Sequence, residues 1–304
     1  MRIRALYDRS EPTISFEFFP PKNAEAEAAL FRDTVPGLKA LGASFISVTY
    51  GAGGGTRETT FRIVHRIRRE YGIEAMAHLT CVGSTREVLA KEIDEAEALG
   101  LENILALRGD PPKGQTTFQA VEGGFRYAVD LIRFIKERSR FCLGAAVYPE
   151  GHVECSVKHA DWDRAAAKVE AGAEFLITQL FYDYSDFLDM EDYLRQKRGV
   201  KVPIIPGILP FLSTEQIKRF TLLCGSKIPG PLRLRLEKHA ADEETVRKIG
   251  VETCTEIARR LLDHGAAGLH FYCLNRTASV TEIMHNLGLG TKSLSEKGVR
   301  PLEF

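Results

Sequence analysis

Eight short β-rich runs, "ISFEFFP", "FISVTYG", "AMAHLTC", "NILALRG", "CLGAAVYP", "FLITQLFY", "PIIPGILP" and "LHFYCLN", alternate along the chain with longer segments whose apolar residues recur at helical spacing. Each run is short, apolar and bounded by turn residues, which reads as a buried strand rather than a helix. The intervening segments, such as "TREVLAKEIDEAEALG" and "DWDRAAAKVEAGA", carry glycine just past the last periodic residue, a helix stop signal. Strands alternating with helices pair in parallel through helical crossovers. Eight such units in 304 residues, with no linker or composition shift to mark a boundary, favour one α/β domain over residues 1–304, a closed (β/α)8 TIM barrel, over a doubly wound open sheet. The irregular part follows the seventh run, where Pro229 and Pro231 divide more than one helix, so extra helices are expected between strands seven and eight.

Charge narrows the partners. Lys plus Arg is 41 and Asp plus Glu is 41, so the long-range field that draws a protein to nucleic acid or to an anionic membrane is missing, and a small molecule is the expected ligand. The six cysteines form no C-x-x-C pair, which argues for reduced thiols rather than zinc or a disulfide framework. The eight histidines form no H-E-x-x-H or similar pair, and no metal is assigned. "MRIRALYDRS" has no apolar signal core and no run reaches the roughly 18 apolar residues of a membrane span, so the expectation is a soluble, cytoplasmic protein.

Polar residues gather at the C-terminal ends of the runs: Glu17, Thr49, His78, Arg108 with Asp110, Tyr148, Gln179, and Asn275 with Arg276. In a barrel these ends converge on one face, where active sites are built. Glu17 is the most informative of them, because it interrupts an aromatic run that ends at Pro20 and Pro21. Strand alternation that points Ser15, Glu17 and Phe19 into the barrel points Phe16 and Phe18 out to the helices. A lone strand carboxylate is as often a structural partner of an arginine as a catalytic group. The "YGAGGGTRET" stretch, Tyr50 to Thr59, fails both the dinucleotide and the P-loop spacing, so its glycines serve either a close backbone approach to a ligand or a plain turn. No serine sits on a G-x-S-x-G elbow.

The stretches "SFEFFPPK", "SVTYGAGG", "AHLTC", "ALRGDPP", "AAVYPEGH", "KVEAGAEFLITQLFYD", "IIPGILP" and "HFYCLNR" occur in this order, and together they resemble the bacterial 5,10-methylenetetrahydrofolate reductase family from about Ser15 to Arg276. The resemblance implies a (β/α)8 flavoprotein that passes a hydride from NADH or NADPH through FAD to 5,10-methylenetetrahydrofolate, giving 5-methyltetrahydrofolate for methionine biosynthesis. It implies that Glu17 is the catalytic acid and that Asp110 lies near both flavin and pterin. It places FAD on Thr49, Tyr50, Ala52, His78, Arg108, Gly109, Asp110, Tyr127, Ala128, Tyr148, His152, Asp161 and Lys168, and folate on Asp110, Gln179 and Arg276. No C-terminal regulatory domain of the animal kind is expected, and a homo-oligomer is the expected assembly. The chain departs from the family after "PGILP": it reads "FLST", Phe211 to Thr214, where several relatives carry an aromatic slightly further on that packs against folate.

The implied chemistry supplies a reason for Glu17. Opening the five-membered ring of the substrate breaks its bond to N10, which needs a proton there. A free glutamate, with a pKa of about 4.3, is a poor donor at neutral pH. Desolvation beside Phe16, Phe18 and Phe19 is expected to lift that pKa toward the working range. Asp110 is expected to stay ionised and to stabilise the iminium cation that accepts the hydride. For Arg276, a guanidinium fork suits the glutamate tail of folate, and pairing with Glu282 is the structural alternative. Other readings of the same barrel are a proline dehydrogenase-like flavoprotein and a non-catalytic folate- or flavin-binding subunit.

Overall fold

The computed structural model describes residues 1–50, 57–111, 114 and 117–290. Ala52 and the glycine stretch after Tyr50 therefore lie outside the described residues. Nine parallel strand segments form one sheet: β1 Thr13–Phe18, β2 Phe45–Val48, β3 Glu74–Thr80, β4 Asn103–Leu107, β5 Cys142–Val147, β6 Phe175–Thr178, β7 Ile204–Ile205, β8 Gly207–Ile208 and β9 Gly268–Tyr272, in the order β7-β6-β5-β4-β3-β2-β1-β9-β8.

The ninth segment comes from one proline. The seventh run "PIIPGILP" is a single extended stretch interrupted at Pro206, whose nitrogen cannot donate to a ladder. Before it, Ile204 and Ile205 pair with β6; after it, Gly207 and Ile208 pair with β9, and the Pro206 carbonyl accepts from His270 N at 3.0 Å. One strand thus changes partners around Pro206 and brings the two edges of the sheet together, so the (β/α)8 barrel expected from the sequence is the fold.

Helices fill the crossovers. Arg86–Ala98 starts where Thr85 accepts from the Val88 N–H, covering one of the amide donors that a helix start leaves unpaired, and stops before Gly100, which takes φ 69°. Between β8 and β9 lie three helices, Thr214–Cys224, Gly230–Lys238 and Glu243–Asp263, the second starting at Pro229 and Pro231. The insertion is therefore where the prolines put it.

The strands separate two apolar cores. Outside, Phe16, Phe18, Ile46, Val48 and Leu79 are buried against the helices. Inside, Phe45, Met76, Leu105, Phe175, Ile177 and Ile205 pack with Ile3, Leu6 and Tyr7 of the short 3-10 segment Ile3–Asp8, which plugs the N-terminal end. The plug and the lower interior are apolar. The upper interior is not, and that is where the site lies.

Candidate active site

Ladder register assembles the centre. Partner residues on neighbouring strands face the same side of a sheet, and β1 pairs Glu17 with Ser47 of β2, and Ser15 with His270 of β9. Ser15, Ser47, His78, His270 and Glu17 therefore share the upper barrel interior. Ser15, Ser47 and His270 are fully buried, and the Glu17 side chain keeps 12% of its exposure, enough to reach the mouth.

Among the described residues the contacts on the Glu17 carboxylate converge on one oxygen. Oε2 accepts from Ser47 Oγ at 2.9 Å, lies 3.2 Å from His270 Nε2 in a hydrogen bond, and lies 3.1 Å from His78 Nε2. The His78 approach is that of an ion pair without hydrogen-bond alignment. On the far side of its ring, His270 Nδ1 is hydrogen-bonded to Ser15 Oγ at 2.8 Å. The cluster is a chain of exchangeable protons ending at a carboxylate.

This arrangement corrects the expectation for Glu17. Phe16 and Phe18 face the outer core, and Phe19 lies past the end of β1, half exposed at the rim, so none of the three desolvates the carboxylate from inside. Burial does act to raise the Glu17 pKa, but the charge of His78 and the hydrogen bond and charge of His270 oppose it and hold the carboxyl well below the usual range. In the resting cluster Glu17 is therefore ionised.

Around this centre stand the other candidates. Among the described residues, Thr49, just past β2, is buried with no hydrogen-bond partner for its Oγ1, and Thr80 at the end of β3 is in the same state. Gly109 has φ 87°, and a Cβ there would stand 2.6 Å from Val82 Cγ1, so the turn between Arg108 and Asp110 admits only glycine. Asp110 is exposed at the rim. Tyr127 and Ala128 form the entry to the helix Ala128–Arg138. Tyr148 follows β5, with its ring edge-on to His152 at 4.8 Å, and the His152 N–H donates to buried Asp161 Oδ2 at 3.1 Å. Lys168 donates from Nζ to the Ala146 carbonyl at 2.7 Å, and burial pushes its pKa down to about 8 against the pull of Asp161. Gln179 follows β6, with its side-chain oxygen accepting from the Leu180 N–H.

Two questions about the rim have definite answers. Glu282 pairs with Arg247 at 2.7 Å, so it is not the partner of Arg276, which stands exposed and without an ion pair among the described residues. Arg276 is placed by Asn275, a residue type that tolerates its φ of 61° and whose amide brackets the Phe19 backbone, accepting from its N–H at 2.8 Å and donating to its carbonyl at 3.1 Å. Phe211 is fully buried with its ring edge-on to Tyr182 at 5.7 Å, a core residue and no platform for a ligand. Sequence reasoning missed His270 and Ser47. The signal for His270 was period-two alternation in "LHFYCLN", which puts it on the same face as Tyr272.

A parallel barrel with a carboxylate–imidazole cluster at the C-terminal ends of its strands belongs to the α/β-barrel proteins, which build their sites at that face. Within that class the comparisons are specific. The family model described as Methylenetetrahydrofolate reductase matches residues 2–288, and the chain belongs to that family. It is 36% identical over 95% of its length to "Methylenetetrahydrofolate reductase (NADH) 1" of Arabidopsis thaliana, covering 50% of that protein, and 37% identical over 91% of its length to "5,10-methylenetetrahydrofolate reductase" of Salmonella typhimurium, covering 90% of it. The chain thus spans about half the length of the plant and fission-yeast relatives it matches and most of the bacterial ones. Among solved structures, a Clostridium thermocellum protein described as binding two copies of 5-methyl-5,6,7,8-tetrahydrofolic acid superposes with a TM-score of 0.60 over 93% of this chain and 96% of its own, at 18% identity, a likeness of fold. Among the described residues no helix is long and apolar enough to cross a membrane.

Proposed function

We propose that this chain catalyses the FAD-dependent reduction of 5,10-methylenetetrahydrofolate to 5-methyltetrahydrofolate with NADH or NADPH, in one-carbon metabolism and methionine biosynthesis. The observation that carries the reading, together with family membership, is the Glu17 carboxylate held at the mouth against two imidazoles.

The residues present fit FAD. Its pyrophosphate is anionic, and the mouth offers Arg108, the Lys168 ammonium, the ring of His152 and the amide groups at the entry to the helix Ala128–Arg138. The orphaned hydroxyls of Thr49 and Thr80 are buried polar atoms that a ligand with donors and acceptors would satisfy. When bound, FAD would supply a two-electron carrier that takes hydride from the nicotinamide and delivers it to folate.

Ring opening requires a proton at N10 and leaves a cationic N5 iminium on the substrate. Glu17 is the group at the mouth through which that proton passes. The proton reaches N10 by way of Oε2, the oxygen on which Ser47, His270 and His78 converge. Asp110, exposed at the rim, supplies a negative charge for the iminium. Gln179 offers an amide to the pterin, and Arg276 a free guanidinium to the glutamate tail.

The test is anaerobic. NADH should bleach the yellow flavin of the purified chain, and methylenetetrahydrofolate should restore the colour with formation of 5-methyltetrahydrofolate. A colourless protein, or a bleached one that folate leaves bleached, overturns the reading.

A further inference from the structure

Arg108 does not stand free at the end of β4. Its Nη1 and Nη2 form a fork-on-fork pair with Glu154 at 2.6 and 2.8 Å, its Nε donates to the Gly109 carbonyl at 3.3 Å, and its Cζ lies 4.8 Å from the centre of the Phe118 ring. Glu154 belongs to the loop after β5, and its backbone N–H donates to His152 Nδ1 at 3.1 Å. Burial, then the charge of Arg108, push the His152 pKa down, so the ring is neutral near pH 7. A neutral ring that accepts at Nδ1 carries its proton at Nε2. One exposed loop residue therefore fixes the rotamer of Arg108 with its side chain and the tautomer of His152 with its backbone.

We propose that Glu154 is a positioning residue for cofactor binding: it holds the Arg108 guanidinium at the mouth so that the fork is already in place for a pyrophosphate. This rests on the flavin reading of the preceding section. A guanidinium carries five N–H donors; the Glu154 pair and the Gly109 carbonyl engage three, and two Nη protons remain for an anion. Fixing a free arginine side chain costs rotamer entropy, and a group fixed before the ligand arrives spares the ligand that loss. Neither residue is deeply buried, at 19% exposure for Arg108 and 41% for Glu154, so the pair itself stabilises the fold little, and its value lies in orientation.

The test is a double-mutant cycle on binding, read from flavin fluorescence as the loaded full chain is diluted. E154A should weaken FAD by about tenfold, and E154Q, which keeps the shape and one acceptor, by less. Riboflavin, which has no phosphate, should bind wild type and E154A alike. In an R108A background E154A should have no further effect, and thermal midpoints should stay within a few degrees, which excludes misfolding as the cause. Tighter FAD binding in E154A would mean that the carboxylate competes with the phosphates, and overturns the proposal. So would an unchanged affinity, an equal loss for riboflavin, or a loss that persists in the R108A background. A wild-type chain that binds no FAD would refute the flavin reading itself, and this inference with it.

Discussion

At the N-terminal end of the barrel the charged and amide side chains are matched to one another, with the buried Tyr7 hydroxyl left over among the described residues; at the C-terminal end, on the same strands, several polar groups are not matched. Asn103, fully buried at the start of β4, accepts from Ile3 N at 2.7 Å and donates to the Met1 carbonyl and to Glu74 at 3.0 and 3.1 Å. Arg68 pairs with Glu74 and Glu102, and Arg2 and Lys136 both pair with Glu174. Among the described residues at the mouth, Thr49 and Thr80 keep orphaned hydroxyls, two imidazoles crowd one carboxylate oxygen, and Arg276 has no partner acid. A network that satisfies itself contributes stability, while one left with unused capacity has it available for a ligand. The same alternation that fills the lower barrel with Phe, Met and Leu places Ser, His and Glu one layer higher.

Substitutions at the two ends should therefore separate stability from turnover. The largest effect is expected for Glu17→Gln: folate reduction should fall by about 10²-fold or more, as for loss of a general acid, while flavin reduction by NADH and the thermal midpoint stay near wild type. Stopped-flow of the two half-reactions checks it, and an equal loss in both would make Glu17 part of the scaffold and erase the contrast.

The mirror image is Asn103→Ala. Three hydrogen bonds disappear and the buried Ile3 N–H loses its acceptor, which should reduce stability by about 1–3 kcal/mol in urea unfolding. Turnover measured well below the melting temperature should be unchanged. A large loss of turnover in a folded Asn103→Ala chain would show that the two ends are coupled.

An effect of comparable size, on binding alone, is expected at the rim. Arg276→Ala should weaken folate binding by one to two orders of magnitude, about 1.5–3 kcal/mol for a charge-assisted hydrogen bond, and leave the reaction with NADH alone. An unchanged folate Kd would assign the exposed guanidinium to solvent.

The smallest concerns Glu150, on the loop after β5. Burial pushes its pKa from an ordinary 4.5 up to about 7; the charge of Asp186 acts the same way, against the hydrogen bond from the Lys227 N–H and the charges of Lys227 and Lys158. Between these values the folded chain holds a proton that the unfolded chain has released, so this group's contribution to stability is greatest below about 4.5 and declines as pH rises to about 7. Glu150→Gln should flatten that slope by a degree or two in melting temperature between pH 5 and 8, the size being limited by the residue's partial exposure. A wild-type slope that persists in the variant would place the titrating group elsewhere.

The alternation of short apolar runs with amphipathic segments determined the barrel, because buried parallel strands and their crossovers each impose their own period on the sequence. Pro229 and Pro231 marked the insertion for the same local reason. Glu17 was legible because a carboxylate breaks an aromatic run. Its protonation state was not: His270 lies 253 residues away along the chain, and only ladder register and closure at Pro206 set its ring on the same oxygen as His78. Phe211 shows the same limit, since nothing local distinguishes an aromatic that stacks on a ligand from one buried against Tyr182. Glu154 gave no signal either, as its significance comes from facing Arg108 across two loops. Sequence determined which residues each strand end carries. Tertiary structure decided their charges and partners, because pKa and hydrogen bonding depend on what stands within a few ångströms, and closing the barrel is what brings those groups together.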